Sequence, residues 1–132
     1  MPENAELLRR AWDHFNRTGE VDLDLIDPEV EWRTQIESYR GHEGVRQWQR
    51  TFEEAFEEGR IEPEEIVDAG GELVVSVTLM RGTARLTGME MELRFVALWT
   101  FRDGKIVRVD SFETKEEALR AAGGSAELPQ NG

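Results

Sequence analysis

The sequence predicts an α+β fold, with helices packed on one face of a curved antiparallel sheet. Two long helical patterns lie in the first half of the chain, and strand patterns dominate residues 61–113. The pair Asp103-Gly104 between the last two strand patterns is typical of a tight hairpin turn. Helices that come first and strands that come last favour helices gathered on one side of a single sheet.

The first part of the chain is predicted to form a helix, a short helix and a short strand. Apolar residues recur at helical spacing over residues 3–18. A short helix at 23–26 should end at Pro28, because proline restricts the residue before it. Val30 and Trp32 then alternate with charged residues, which predicts a strand.

The second long helix is predicted over residues 43–58 and begins within the segment YRGHEGVRQW, residues 39–48. Gly59 stands where helices commonly end. The apolar face of this helix should consist of Val45, Trp48, Phe52 and Phe56.

Four strands are predicted next, at residues 61–69, 73–81, 89–102 and 105–113, with Gly70-Gly71 as a tight turn. A short helix from Lys115 to Ala122 should end at Gly123-Gly124. We expect one domain over residues 1–123 and a flexible C-terminal tail at 124–132.

Alternation assigns the side chains of the strand at 89–102 to two faces. Odd positions such as Phe95 and Trp99 should face the helices. The even positions include Val96 and Leu98, which gives the outer face an apolar patch. Such a patch favours burial against a second copy, so we expect a homodimer through the outer sheet face.

The last strand has two possible inward faces. The valines favour the set with Val107, Val109, Ser111 and Glu113, because the other set would bury Arg108 and Asp110 together. A bulge within the strand would reverse this assignment.

Composition excludes several classes of function. Sixteen Lys and Arg against 28 Asp and Glu give a formal net charge of −12, which repels nucleic-acid backbones. No apolar run approaches the roughly 18 residues of a membrane span, so we expect a cytoplasmic protein without a membrane partner. With no cysteine and two histidines, we expect neither a disulfide nor a metal site, and we predict no cofactor.

Together with this element order, several segments resemble the SnoaL-like branch of the NTF2-like superfamily, which also includes ketosteroid isomerases and limonene epoxide hydrolases. The resemblance covers about residues 4–123 and rests on FNRTGEVDLDLIDPEVEW, YRGHEGVRQW, ALWTFRDGKIVRVDSFE and EEALRAAG. It implies a cone-shaped α+β barrel with a deep apolar pocket, commonly assembled as a homodimer through the outer sheet face. The family includes both enzymes and binding modules.

The catalytic positions of two such relatives are not matched here. The general base, oxyanion-hole and helix-1 positions of ketosteroid isomerases fall at Trp32, near Ala97 and near Ala11. The Arg-x-Asp of the epoxide hydrolases falls in the uncharged residues 76–79, and their last-strand aspartate falls at Ser111. The resemblance therefore implies neither reaction, and it supplies no aspartate for a cyclase of the SnoaL type.

His42 and Glu113 are the candidate catalytic residues. Histidine is the commonest general base, although a histidine in a loop that opens a helix often bonds the local backbone instead. Glu113 would move protons if it entered the pocket, whereas at the end of a strand it could equally be solvated.

The aromatic residues on the predicted inward faces, with one serine, are the candidate pocket lining. They would either line a site for a flat apolar molecule or fill the cone. Three hypotheses stay open: a module that binds a small apolar molecule, a cyclase- or isomerase-like lyase, and an assembly module with a filled cone. The lining residues are Phe15, Trp32, Trp48, Phe52, Phe56, Phe95, Trp99 and Ser111.

Overall fold

A computed structural model describes residues 4–34 and 37–127, which form three helices and a six-stranded sheet. The helices are α1 (Asn4–Thr18), α2 (Gly41–Ala55) and α3 (Lys115–Glu127), and a short 3₁₀-helix covers Leu23–Leu25. The strands are β1 (Ile26–Arg33), β2 (Ser38–Arg40), β3 (Phe56–Asp68), β4 (Leu73–Ala84), β5 (Glu90–Arg102) and β6 (Lys105–Phe112).

The sheet has the strand order β2-β1-β6-β5-β4-β3. Neighbouring strands are antiparallel except β1 and β6, which are parallel. The carboxyl ends of two parallel neighbours lie at the same edge of a sheet. Thr34 therefore follows β1 at the edge where β6 places Ser111 and Glu113.

The sheet separates two apolar clusters. Val74 and Trp99 belong to the larger cluster, with residues of α1 and α2, whereas Val75 and Leu98 belong to a smaller cluster with α3. Since successive strand residues point to opposite faces, α1 and α2 pack on one face of the sheet and α3 packs on the other. The expectation that all helices lie on one face is thus wrong for α3.

Helix α3 covers the outer apolar patch predicted on β5. Ala118 and Ala122 pack there, and Val96 and Leu98 are only 6% and 7% exposed. These residues are therefore not available to a second copy, and the homodimer remains a prediction without that support. The helix also continues past Gly123 to Glu127, so its predicted end is wrong. The rest of the predicted tail, residues 128–132, lies outside the described residues.

The predicted tight turns are confirmed. Asp103 and Gly104 both adopt positive φ angles between the paired residues Arg102 and Lys105, as a type I′ hairpin turn requires at its two central positions. Gly70 and Gly71 also adopt positive φ angles, in a turn that the Leu73 N–H closes by donating to the carbonyl of Gly70 at 3.0 Å.

The second long helix ends earlier than predicted. It stops at Ala55, and Phe56 begins β3, opposite Ala84 of β4. Gly59 lies inside this strand against the ring of Phe52, not at a helix end. The spacing of the two phenylalanines suits a helix, but the pairing with β4 determines the structure here.

Two irregular strands account for the other differences. Pro28 lies inside β1, in the stretch where the pairing with β6 shifts register, so its missing N–H removes no regular ladder bond. A shift in the pairing of β5 with β6 buries both Ile106 and Val109, although their positions differ in parity. The inward assignment is confirmed from Val109 onward and wrong before it, because Ile106 and not Val107 is buried in the inner cluster. The sequence patterns also missed β2, whose three residues are too few for a visible alternation.

Candidate functional site

Aromatic rings fill the inner part of the cone, the space between α1, α2 and the concave face of the sheet. Trp48 stacks on Trp32 and on Phe52, with ring centroids 5.2 and 5.4 Å apart. Trp12 meets Trp99 edge to face at 5.6 Å. An inner cavity of about 30 Å³ remains beside Trp12, Trp32 and Trp99, which is room for about one or two water molecules. The deep part of the cone therefore has no room for a steroid-sized ligand.

A larger cavity of about 420 Å³ opens at the mouth of the cone. Its lining is mainly apolar, with four polar side chains on β1, β5 and β6 or just beyond them. We call it the mouth cavity, and it is lined by Trp32, Thr34, Trp48, Met80, Leu93, Arg94, Phe95, Ser111, Phe112 and Glu113.

Strand alternation and the parallel β1–β6 pair position these residues. Leu93 and Phe95 lie on the inward face of β5, and Met80 lies opposite Leu93 on β4. The ring of Trp32 lines both the mouth cavity and the inner cavity. Trp32 therefore separates a filled interior from an open mouth.

Two of the four polar groups of the mouth cavity are already engaged. Arg94 donates from Nε and Nη2 to the two carboxylate oxygens of Glu64, at 2.7 and 3.0 Å. This hydrogen bond and the charge of Glu64 raise the pKa of Arg94, and the hydrogen bond lowers the pKa of Glu64. The Thr34 hydroxyl donates to the carbonyl of Glu37 at 2.8 Å and accepts from its N–H at 2.8 Å.

The other two polar groups of the cavity are Ser111 and Glu113. Ser111 is half-buried, and Glu113 is exposed at the rim. Neither side chain forms a hydrogen bond or an ion pair with any residue of 4–34 or 37–127, while the Glu113 backbone N–H donates to Glu117 at 3.2 Å. The cavity thus presents a hydroxyl and a carboxylate to whatever occupies it.

His42 has a structural contact. Its Nε2 donates to the carbonyl oxygen of Ile26 at 2.7 Å, which ties the start of α2 to the start of β1. In the described part of the chain, His42 does not line either cavity. The partner is a backbone carbonyl, as the structural alternative expected, but it lies on β1 and not in the loop around His42.

Buried hydroxyls and indoles lie beneath the mouth. The indole of Trp99 donates to Ser76 Oγ at 2.8 Å, and Thr78 Oγ1 donates to the same oxygen at 3.4 Å. Trp12 is 5% exposed, and its Nε1 has no hydrogen-bond partner among the described residues. The Trp12 ring contacts the rings of Phe95 and Trp99 edge to face.

The structure brings together only part of the predicted site. Trp32, Trp48, Phe95, Ser111 and Glu113 line the mouth cavity. The other aromatic candidates lie deeper: Phe15 and Trp99 line the inner cavity, and Phe52 and Phe56 pack behind Trp48.

Sequence reasoning missed half of the mouth lining. Alternation along β4 and β5 could have identified Met80 and Leu93, which share the inward face with Phe95. The missed residues are Thr34, Met80, Leu93, Arg94 and Phe112.

A sequence model of the SnoaL-like domain matches residues 7–109. The chain belongs to the SnoaL-like family. No curated protein matches the sequence significantly.

Solved structures share the NTF2-like fold of this SnoaL-like chain. One is an NTF2-like protein of unknown function from Burkholderia pseudomallei K96243, 26% identical, with a TM-score of 0.73 over 91% of this chain and 97% of that one. TerC, co-crystallised with polyporic acid, is 25% identical, with a TM-score of 0.71 over 89% and 98% of the two chains. A protein from Jannaschia sp. CCS1, provisionally named a SnoaL-like polyketide cyclase, is 19% identical, with a TM-score of 0.70 over 94% and 92%.

Within the described residues, no helix of this SnoaL-like protein is long and apolar enough to cross a membrane. The same residues contain no group of three or more His, Asp or Glu side chains that could hold a metal ion.

Proposed function

We propose that this protein binds a small, mostly apolar molecule in the mouth cavity. The observation that carries the proposal is an open cavity of about 420 Å³ whose walls are mainly aromatic and aliphatic. Pockets of about 300–1,000 Å³ with a few polar groups are typical of small-molecule sites. TerC, a relative co-crystallised with polyporic acid, supports the same class of function.

The geometry limits how the ligand would be held. Trp48 stacks on Trp32 and on Phe52, so its ring faces are partly covered and it would meet the ligand mainly with its edge. Leu93, which is 47% exposed, offers open apolar surface on the β5 wall. The ligand would therefore lie between the edge of Trp48 and the β5 wall, without entering the filled interior.

Binding of the neutral probe 1-naphthalenemethanol, measured by isothermal titration calorimetry, tests this proposal. In Leu93→Asp a charge replaces an apolar contact on the cavity wall, and we expect the affinity to fall by about five-fold or more. Leu119→Asp is the matched control, because Leu119 is also partly exposed, at 36%, but lies on α3 outside the cavity. The proposal fails if the probe does not bind or if the two variants weaken it equally.

Native mass spectrometry of the purified protein adds an unbiased test. A retained adduct of a few hundred daltons would support the proposal, and its displacement by the naphthalene probe would locate it at the same site. An adduct that Leu93→Asp retains in full would contradict the assignment to the mouth cavity.

A cyclase- or isomerase-like enzyme is the second candidate function. It is favoured by Glu113, a carboxylate that lines the same cavity as the Ser111 hydroxyl and could move a proton on a bound carbonyl compound. For a substrate identified through a retained adduct, Glu113→Gln should abolish turnover and leave binding largely intact. Full turnover by that variant would rule out this assignment.

A further inference from the structure

The polar groups of the mouth cavity select the chemistry of the ligand. The cavity contains one cation, Arg94, and one anion, Glu113. Arg94 is held by both oxygens of Glu64, so its charge is compensated, whereas Glu113 forms no ion pair within the described residues. The charge that faces a ligand is therefore negative.

The two oxygen-bearing side chains without a partner in the described residues, Glu113 and Ser111, can both accept a hydrogen bond. A carboxylate can only accept, and the Ser111 hydroxyl both donates and accepts. Thr34 is engaged with Glu37 in its own turn. A ligand that fits this set brings a donor to the rim, since a carboxylate or phosphate there would lie beside the like charge of Glu113.

The charge of the whole protein acts in the same direction. A net charge of −12 repels small anions and attracts small cations over the surface. The apolar body of the ligand still requires the walls formed by Leu93, Phe95 and Trp48.

We propose that the ligand is an apolar molecule that ends in a hydrogen-bond donor, a protonated amine in preference to a carboxylate, and that this end pairs with Glu113. The inference rests on the proposed binding function and specifies its ligand class. Glu113 would be a specificity-determining residue.

Three probes that share one ring test the preference. They are 1-naphthalenemethylamine, 1-naphthalenemethanol and 1-naphthoate, which at neutral pH are a cation, a neutral donor and an anion. We expect wild-type protein to bind the amine most tightly and the carboxylate least tightly in isothermal titration calorimetry. Because Glu113 is exposed, its ion pair should favour the amine over the alcohol by no more than about five-fold.

Glu113→Gln should remove the preference of the amine over the alcohol and change the affinity for the alcohol much less, because the glutamine amide oxygen still accepts a hydrogen bond. Glu116→Gln is the matched control, because it removes the same charge from an exposed residue on α3 that does not line the cavity. Raising the salt concentration should reduce the amine preference of wild-type protein and of Glu116→Gln in the same way.

The outcomes separate the two proposals. If all three probes bind equally, the ligand class assigned here is wrong and the binding function stands. If Glu113→Gln keeps the amine preference, the role of Glu113 is wrong. If Glu116→Gln loses the preference as Glu113→Gln does, general charge attraction explains it and the role of Glu113 is wrong. If none of the probes binds, both proposals fail.

Discussion

The contact between Gly59 and Phe52 predicts that Gly59→Ala destabilises the protein through the aromatic cluster. A Cβ atom on Gly59 would lie 2.6 Å from Phe52 Cε2 and 2.7 Å from Phe52 Cζ. The ring cannot move away easily, because Trp48 stacks on it at 5.4 Å and Phe15 contacts it at 5.4 Å. The substitution therefore overpacks a confined ring.

The expected magnitude follows from two opposing effects. Overpacking a well-packed core costs about 1–3 kcal/mol. Replacing glycine with alanine where the backbone angles are ordinary returns about 0.4–1 kcal/mol by restricting the unfolded chain. We expect Gly59→Ala to lower the free energy of unfolding by about 1–2 kcal/mol.

Urea unfolding followed by far-ultraviolet circular dichroism measures this change, and a second background tests its cause. In Phe52→Leu the shorter side chain should remove most of the clash, so Gly59→Ala should cost at least about 0.5 kcal/mol less there. Gly123→Ala is the control, because nothing lies within 4 Å of its Cβ position in α3, and it should stabilise by about 0.5–1 kcal/mol. An equal cost of Gly59→Ala in both backgrounds would refute the reasoning.

Three more predictions follow from other contacts. Ser76→Ala leaves the buried indole N–H of Trp99 without its acceptor at 2.8 Å, so the free energy of unfolding in urea should fall by about 1–3 kcal/mol; a change below about 0.5 kcal/mol would contradict that role. Ending the chain after Thr114 removes α3 and uncovers the outer apolar patch. Compared with the full chain, the truncated protein should bind more of a dye for exposed apolar surface and should have a higher apparent molecular mass in analytical ultracentrifugation. Unchanged values would mean that α3 does not cover the patch. The hydrogen bond from Arg94 lowers the pKa of Glu64 below its usual 4.5. The ionised Glu64 carboxylate therefore stabilises the fold at pH values above 4.5, and this stabilisation is lost as the pH falls through the lowered pKa. Glu64→Gln should therefore be less stable than wild type at neutral pH, by a small margin because the pair is exposed, and the difference should vanish in acid; a difference that is independent of pH would exclude the ion pair as its cause.

Much of the fold follows from local patterns, but the boundary between α2 and β3 does not. Phe52 and Phe56 are spaced as on one helix face, and Gly59 resembles a helix stop. The decisive interaction is non-local, because Phe56 pairs with Ala84 of β4. The reversal at Ile106 likewise depends on a register shift between two strands, and single-sequence alternation contains no information about such a shift.

The sequence predicted which side chains face the cone, but not how far the packed aromatic residues extend towards its mouth. Alternation placed Ser111 and Glu113 on the inward side of the last strand, and the structure places both on the mouth cavity. It could not determine where the aromatic packing ends, and that boundary leaves Leu93 half exposed while Trp99 is buried. The role of His42 was also not predictable from its residue type, because its hydrogen bond to Ile26 depends on how the fold places the start of α2 beside β1.

The packing also explains why the proposed function resides at the rim. By the family resemblance, the catalytic positions of ketosteroid isomerases fall at Trp32 and near Ala97, and these two residues are 6% and 0% exposed and have no acidic or basic side chain. The buried hydroxyl of Ser76 is engaged with Trp99. Among the described residues of the cone, the groups that could supply chemistry and selectivity lie at the boundary between the filled interior and water. Glu113 and Ser111 lie at that boundary. The groups that these two side chains can bind, and not residues deep in the cone, should therefore determine which ligand this protein retains.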